Sequence, residues 1–215
     1  MTACFDINCN VAFRQTLHTD DLPSTVDSIL NSVGNRLPGK TYLLTGSRNV
    51  YKMSLVIMYQ LLKRNMCVVL VDGANRFELY SLTRQAETDN IEPYQILQKV
   101  FISRVFTAYQ MDGLITGGVQ PFMKQINSHA LFIFGPLHTF YDDHVPLKDS
   151  IQSLDRIRLT LDFMKEEGVS IVIASEFLVP SKKDKTILFK KMTYMSNEIY
   201  KLDDESLKLI PVRRV

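Results

Sequence analysis

Few residues of this chain belong to the types that mark special protein classes. Nine glycines and eight prolines in 215 residues are too few for a collagen-like or low-complexity chain. Three cysteines, Cys4, Cys9 and Cys67, are an odd and sparse set that implies no disulfide framework and favours a reducing compartment. Cys4 and Cys9 have no second ligand pair at zinc spacing, so no metal site is expected. The longest near-uninterrupted apolar runs, such as Ala130–Phe134 and Ser54–Leu62, fall well short of the roughly 20 residues that span a bilayer. The opening Met1-Thr2-Ala3-Cys4-Phe5-Asp6 has neither the basic start nor the apolar stretch of a secretory leader. The expectation is a cytoplasmic protein with no membrane partner.

What is present fits a folded domain: 46% hydrophobic and 22% charged residues. The net charge of +2 hides an asymmetry. Residues 181–215 hold nine Lys or Arg and five acids, an excess of +4, and the rest of the chain carries −2. A basic C-terminal segment on a near-neutral body is either a polyanion-binding surface or a solvated rim.

Hydrophobic periodicity divides the chain. Residues 1–20 show no clean pattern and read as an N-terminal arm, followed by one domain over 21–215. Asp20-Asp21-Leu22-Pro23-Ser24 predicts a helix start, Val26, Ile29, Leu30 and Val33 keep helical spacing, and Gly34-Asn35 stops the helix. Continuous apolar runs at Thr41–Thr45, Cys67–Val71, Ala130–Phe134 and Val169–Ala174 predict strands buried on both faces, the mark of a parallel sheet between helix layers. Val100–Ile102 reads as a shorter strand.

Helices are predicted over 51–64, 77–87, 92–99 and 150–167. Another begins at Ala108 and is expected to break at Gly117-Gly118 and Pro121. Residues 186–194, 196–202 and 207–214 read as short strands joined by polar turns, giving antiparallel pairing at one sheet edge. The alternation of strand and helix makes the fold α/β, a mostly parallel twisted sheet flanked by helices.

One segment has the placement of a phosphate-binding loop: a buried strand, Gly46-Ser47-Arg48-Asn49-Val50-Tyr51-Lys52-Met53-Ser54, then a helix. The working motif is G-x-x-x-x-G-K-[ST], in which the second Gly lets backbone amides wrap the phosphates, Lys meets the terminal phosphates and the hydroxyl holds Mg²⁺. Gly46 and Lys52 keep the spacing. Tyr51 replaces the second Gly and Met53 the hydroxyl residue, and Ser54 falls one position late, about 100° further round a helix. The alternative is an ordinary strand–loop–helix.

Taken in order, several segments resemble the RecA/RadA-type recombinase-like P-loop family. They are Gly39-Lys40-Thr41-Tyr42-Leu43-Leu44-Thr45-Gly46, Val69-Leu70-Val71-Asp72-Gly73-Ala74-Asn75-Arg76-Phe77, and Val100-Phe101-Ile102-Ser103-Arg104-Val105-Phe106-Thr107-Ala108-Tyr109-Gln110. The resemblance covers roughly residues 22–215 and implies a RecA-like core. It also implies losses. Gly135-Pro136 stands where the Walker B Asp should end the strand His129–Phe134. Ala74 falls at the position of the catalytic Glu, two residues after Asp72. Glu176 replaces the Gln that couples phosphate state to the DNA loop. Phosphoryl transfer rests on positioning and charge neutralisation, so these losses together remove most of its machinery.

The expectation is a divergent paralogue with no catalytic residues, no cofactor and no metal. It would act by DNA binding, or by pairing with a RecA-like partner or with itself, in recombinational repair. Two alternatives stand beside it: a divergent ATPase that still binds ATP and Mg²⁺ at Gly46–Ser54, and a RecA-like scaffold with no nucleic-acid role. In the family, the loop after the last parallel strand contacts single-stranded DNA. Here it is Phe177–Lys185, and Lys182, Lys183 and Lys185, with Lys190 and Lys191 beyond, are the candidate phosphate contacts. His138, Asp142, Asp143 and His144 read as a solvated turn rather than a metal cluster. Phe106 and Tyr109 read as core aromatics before any role in assembly or nucleic-acid contact.

Overall fold

A computed structural model describes residues 24–34 and 39–212. The expected arm at 1–20, Cys4, Cys9 and the Asp20–Pro23 helix start lie outside the described residues. The first helix, α1 (Ser24–Gly34), ends at the glycine expected to stop it.

Among the described residues seven strands form one sheet: β1 (Thr41–Gly46), β2 (Val68–Asp72), β3 (Val100–Arg104), β4 (Ala130–Phe134), β5 (Ser170–Glu176), β6 (Glu198–Asp203) and β7 (Lys208–Pro211). Their spatial order is β3-β2-β4-β5-β1-β6-β7. Every neighbouring pair is parallel except β6 and β7.

The helices between them are α2 (Asn49–Lys63), α3 (Leu79–Thr88), α4 (Pro93–Leu97), α5 (Ala108–Gly113), α6 (Gln120–Gln125), α7 (Pro136–Phe140), α8 (Leu147–Glu166) and α9 (Thr186–Tyr194). Successive strand residues point to opposite faces of the sheet. Tyr42, Leu44, Leu70, Phe132, Phe134 and Val172 therefore join one apolar cluster with α1–α4, while Leu43, Val69, Val71, Leu131, Ile133, Ile171 and Ile173 join a second with α5–α9. Burial on both faces is why these strands read as unbroken apolar runs.

Three expectations need correction. Residues 186–194 are a helix, not a strand: Leu188 and Met192, four apart, are its buried face, and its outer residues are polar or exposed. The C-terminal edge is accordingly one antiparallel pair, with β6 lying parallel to β1. The Ala108 helix does not break. A π-helical turn, Leu114–Val119, absorbs Gly117-Gly118, and Pro121 falls at the start of α6, where the backbone stays helical. Cys67 lies just before β2 and is half-buried.

Candidate functional site

Strands β2, β4, β5 and β1 are adjacent and parallel, so their carboxyl ends lie side by side. In open α/β sheets ligands bind at that edge. Asp72, Phe134-Gly135, Glu176 and Gly46 all stand there.

After β1 the chain turns through only Ser47 and Arg48 before α2 begins at Asn49. Gly46 has φ +150°, and the β6 residue Leu202 comes so close that its carbonyl oxygen would lie 3.2 Å from an added Cβ. A phosphate-wrapping loop needs a second flexible residue where Tyr51 stands. With none, the helix starts early and uses the amides itself. Val50 N donates to Ser47 O at 3.1 Å, Tyr51 N to Arg48 O at 3.3 Å, and Asn49 N to Ser47 Oγ at 3.1 Å.

The segment Gly46–Ser54 thus keeps the strand–turn–helix order but does not form the loop its motif requires. Met53 is in the core, and buried Ser54 turns its hydroxyl back onto Val50 O at 2.8 Å. Lys52 is half-buried in the first turn of α2. The Tyr51 ring packs on Phe134 with centroids 5.4 Å apart, and burial pushes its hydroxyl far above the usual phenol range.

A carboxylate of the chain itself faces this turn. Asp204, in the turn between β6 and β7, accepts from Ser47 Oγ at 2.5 Å and from Asn49 Nδ2 at 3.1 Å. It places negative charge at the N-terminus of α2, where the helix dipole favours an anion. The sequence shows an acidic turn at 203–205 but not what it covers.

Asp72 is fully buried. Its carboxylate accepts from the backbone N–H of Ala74 (3.2 Å), Arg76 (3.0 Å) and Phe77 (3.0 Å). It holds the loop 73–77, in which Asn75 takes the left-handed conformation at φ 53°. That loop aims Arg76 at Glu176: Arg76 Nη2 lies 3.3 Å from Glu176 Oε1. After β4, Gly135 turns the chain at φ 52°, ψ 50° into α7, and this brings His138 Nε2 to 2.9 Å from the same oxygen. Glu176 N donates to Tyr51 Oη at 3.4 Å. Reading the sequence alone missed this Arg76–Glu176–His138 cluster, because its members lie 100 and 38 residues apart along the chain.

The loop after β5 carries the other candidates. Lys182 and Lys183 are exposed, and Lys182 Nζ reaches Asp143 O at 2.7 Å. Lys185 is placed differently from expectation. It is buried, and its ammonium donates to Phe140 O at 2.9 Å and to Asp142 O, so it closes the end of α7 and offers no exposed charge. Burial pulls its pKa below the usual lysine value. Lys190 is exposed, with its ammonium 5.8 Å from the Tyr194 ring centre, while Lys191 pairs with Asp155 at 2.7 Å.

Phe177 is 56% exposed, between Phe189 and the Lys201 ammonium, which lies 5.9 Å from its ring centre. Phe106 and Tyr109, expected in the core, are 71% and 58% exposed beside β3. The core there is filled by Val105, Ala108 and Met111 instead. Among the described residues no group of three or more His, Cys, Asp or Glu is placed to hold a metal, and no helix is long and apolar enough to cross a membrane.

No protein-family model and no curated protein sequence matches the chain. Among solved structures it is similar to the crystal structure of the RadB recombinase, at 16% identity over 80% of this chain and 79% of that one, with a TM-score of 0.57. With the strand order above, that likeness shows the architecture: the chain is built on a RecA-like α/β core.

Proposed function

We propose that the chain is a non-catalytic, RecA-like accessory protein of recombination or repair that binds single-stranded DNA through the loop after β5. The observation that carries this reading is the two-residue turn between β1 and α2: the amides that follow it, of Asn49, Val50 and Tyr51, are bonded back onto Ser47 and Arg48, and the turn faces Asp204. Phosphoryl transfer needs positioned amides, a metal and charge neutralisation. Gly135, just after β4, and Ala74, two residues after the end of β2, stand where the resemblance expects the metal-holding and water-orienting carboxylates.

The binding surface we assign is exposed Lys182 and Lys183 in the loop after β5 and Lys190 on α9, with exposed Phe177 at the start of that loop and the Lys201 ammonium beside its ring. Cations near an accessible aromatic ring suit a flexible strand with stackable bases. Each phosphate neutralised on single-stranded DNA steepens the plot of log K against log salt by about 0.7. Replacing Lys182 and Lys183 by Ala should flatten that slope by about 1.4 without lowering thermal stability. Fluorescence anisotropy with a labelled oligothymidine checks this. A wild-type protein that fails to bind at low salt, or a double variant that binds equally well, leaves the scaffold reading in front.

The divergent-ATPase reading is tested by thermal melting with ATP–Mg²⁺ and by phosphate release. Ligand at 100 times its dissociation constant raises stability by about 2.7 kcal/mol. The expected outcome is no shift and no release. A shift lost in Lys52→Ala would establish nucleotide binding.

Association with a RecA-like partner or with itself has an observation of its own. Among the described residues β3 is an edge strand, and its Ile102, Ser103 and Arg104 are exposed, next to Phe106 and Tyr109. Uncovered sheet edges are templates for strand pairing. Ile102→Lys should abolish any concentration-dependent association seen by sedimentation.

A further inference from the structure

We infer that Glu176 is a positioning residue: with Arg76 and His138 it locks the root of the loop after β5, so that the loop's binding surface is formed without nucleotide. The inference rests on the reading that this loop binds single-stranded DNA.

Glu176 is the last residue of β5, and the loop leaves from it. Its side chain is 12% exposed, and one oxygen, Oε1, meets both Arg76 Nη2 at 3.3 Å and His138 Nε2 at 2.9 Å. Its backbone N–H donates to Tyr51 Oη, and the next amide, Phe177 N, donates to Gly46 O at 2.8 Å. The loop root is therefore tied to four separate pieces of the chain: β1, α2, the loop after β2 and α7.

The far end is tied as well. Lys182 reaches Asp143 O, and buried Lys185 reaches Phe140 O and Asp142 O. Between these anchors the side chains of Phe177 and Val179 project outward, 56% and 94% exposed.

Charge explains why a carboxylate serves at this point. Arg76 and a histidine N–H converge on one spot at the carboxyl edge of a parallel sheet, where fold geometry favours an anionic ligand. A carboxylate from the chain fills that spot permanently, in a partly buried setting that salt screens weakly. His138 meets Glu176 through Nε2, and its other ring nitrogen, Nδ1, is buried with no partner among the described residues. His138 is thus committed to Glu176. An anion that belongs to the chain never leaves, so the loop root has no ligand-dependent state.

The test uses the full chain and two readouts. Hydrogen exchange of the 176–184 peptide, with 130–134 as control, needs no DNA. Oligothymidine binding by anisotropy, with and without saturating ATP–Mg²⁺, reads the consequence. Glu176→Gln keeps the shape and removes the charge, and Glu176→Ala removes both. Exchange of the loop peptide should rise in the order wild type, Gln, Ala, by about tenfold or more for Ala, with the control peptide unchanged. If the competent fraction of the loop falls to about one tenth, the apparent Kd rises about tenfold.

Wild-type affinity should not respond to ATP–Mg²⁺. Loop exchange unchanged in both variants overturns the lock, and so does a wild-type affinity that tightens with ATP–Mg²⁺. Should Glu176→Ala destabilise the whole protein, the control peptide reports it, and Glu176→Gln decides alone. Loop exchange that rises as expected in a protein that never binds oligothymidine supports the lock and overturns the DNA reading.

Discussion

Gly135 shows how far single residues commit this chain. A Cβ there would come within 2.4 Å of the Ala74 Cβ and 2.5 Å of His138 Nδ1, in a backbone conformation that L side chains rarely adopt. Gly135→Asp, which places a carboxylate after β4, should therefore create no metal site. It should destabilise the protein by about 2 kcal/mol, through left-handed strain and the clash, as measured by urea unfolding. Asp72→Ala would leave the part-buried N–H of Arg76 and the buried N–H of Phe77 without their acceptor and should cost about 3 kcal/mol.

A third residue gives a pH signature. Burial alone would raise the Asp89 pKa, but hydrogen bonds from Lys63 and Tyr59 outweigh it and hold the carboxyl below the usual aspartate range. A depressed carboxyl pKa adds stability above its unfolded value and loses it as pH falls through the folded one. Asp89→Asn should lower Tm at pH 7 and leave it unchanged at the acid end, where the wild-type carboxyl is protonated. Of these roles the sequence shows only the residue types. Asp72 spends its oxygens on backbone N–H groups, which no side-chain pattern displays, and Glu176 meets partners that only the sheet order brings near.

At the scale of elements, what was legible followed burial. Strands β1, β2, β4 and β5 read correctly because both faces of each are covered, leaving an unbroken apolar run. Residues 186–194 misread as a strand because Ile187, Leu188 and Phe189 are consecutive, and short apolar runs do not separate strand from helix. The turn after β1 was invisible for another reason. The motif spacing from Gly46 to Lys52 is that of a working phosphate loop, yet spacing does not record where the helix starts.

The helix from Ala108 to Gln125 misread because glycine was weighed as a breaker, while the π turn keeps the chain helical through it. Gly113, at φ −60°, ψ −38°, has open space where a Cβ would go. Gly113→Ala should stabilise the protein by about 0.5–1 kcal/mol in urea unfolding, because alanine has less backbone freedom to lose on folding.

For the whole molecule, the layered α/β plan could be read from the order of strands and helices, but the position of β1 inside the sheet could not. β1 pairs with β5 from Thr41↔Ile171 onward, and with β6 from Tyr42↔Glu198. A chain ending at residue 195 would lose β6 and β7, with Leu202 and Leu209 of the core, and should lose cooperative unfolding in urea. The same order governs synthesis. Of the described strands, the first to be synthesised, β1, is flanked by β5 and β6, so it has neither of these partners until residues 170 and beyond have been made. β2 and β3 can pair far sooner, from Val68↔Val100. Long-range parallel pairing is slow and exposed to aggregation. During translation, then, Thr41–Gly46 is the described strand that waits longest for its partners, with its apolar face open meanwhile.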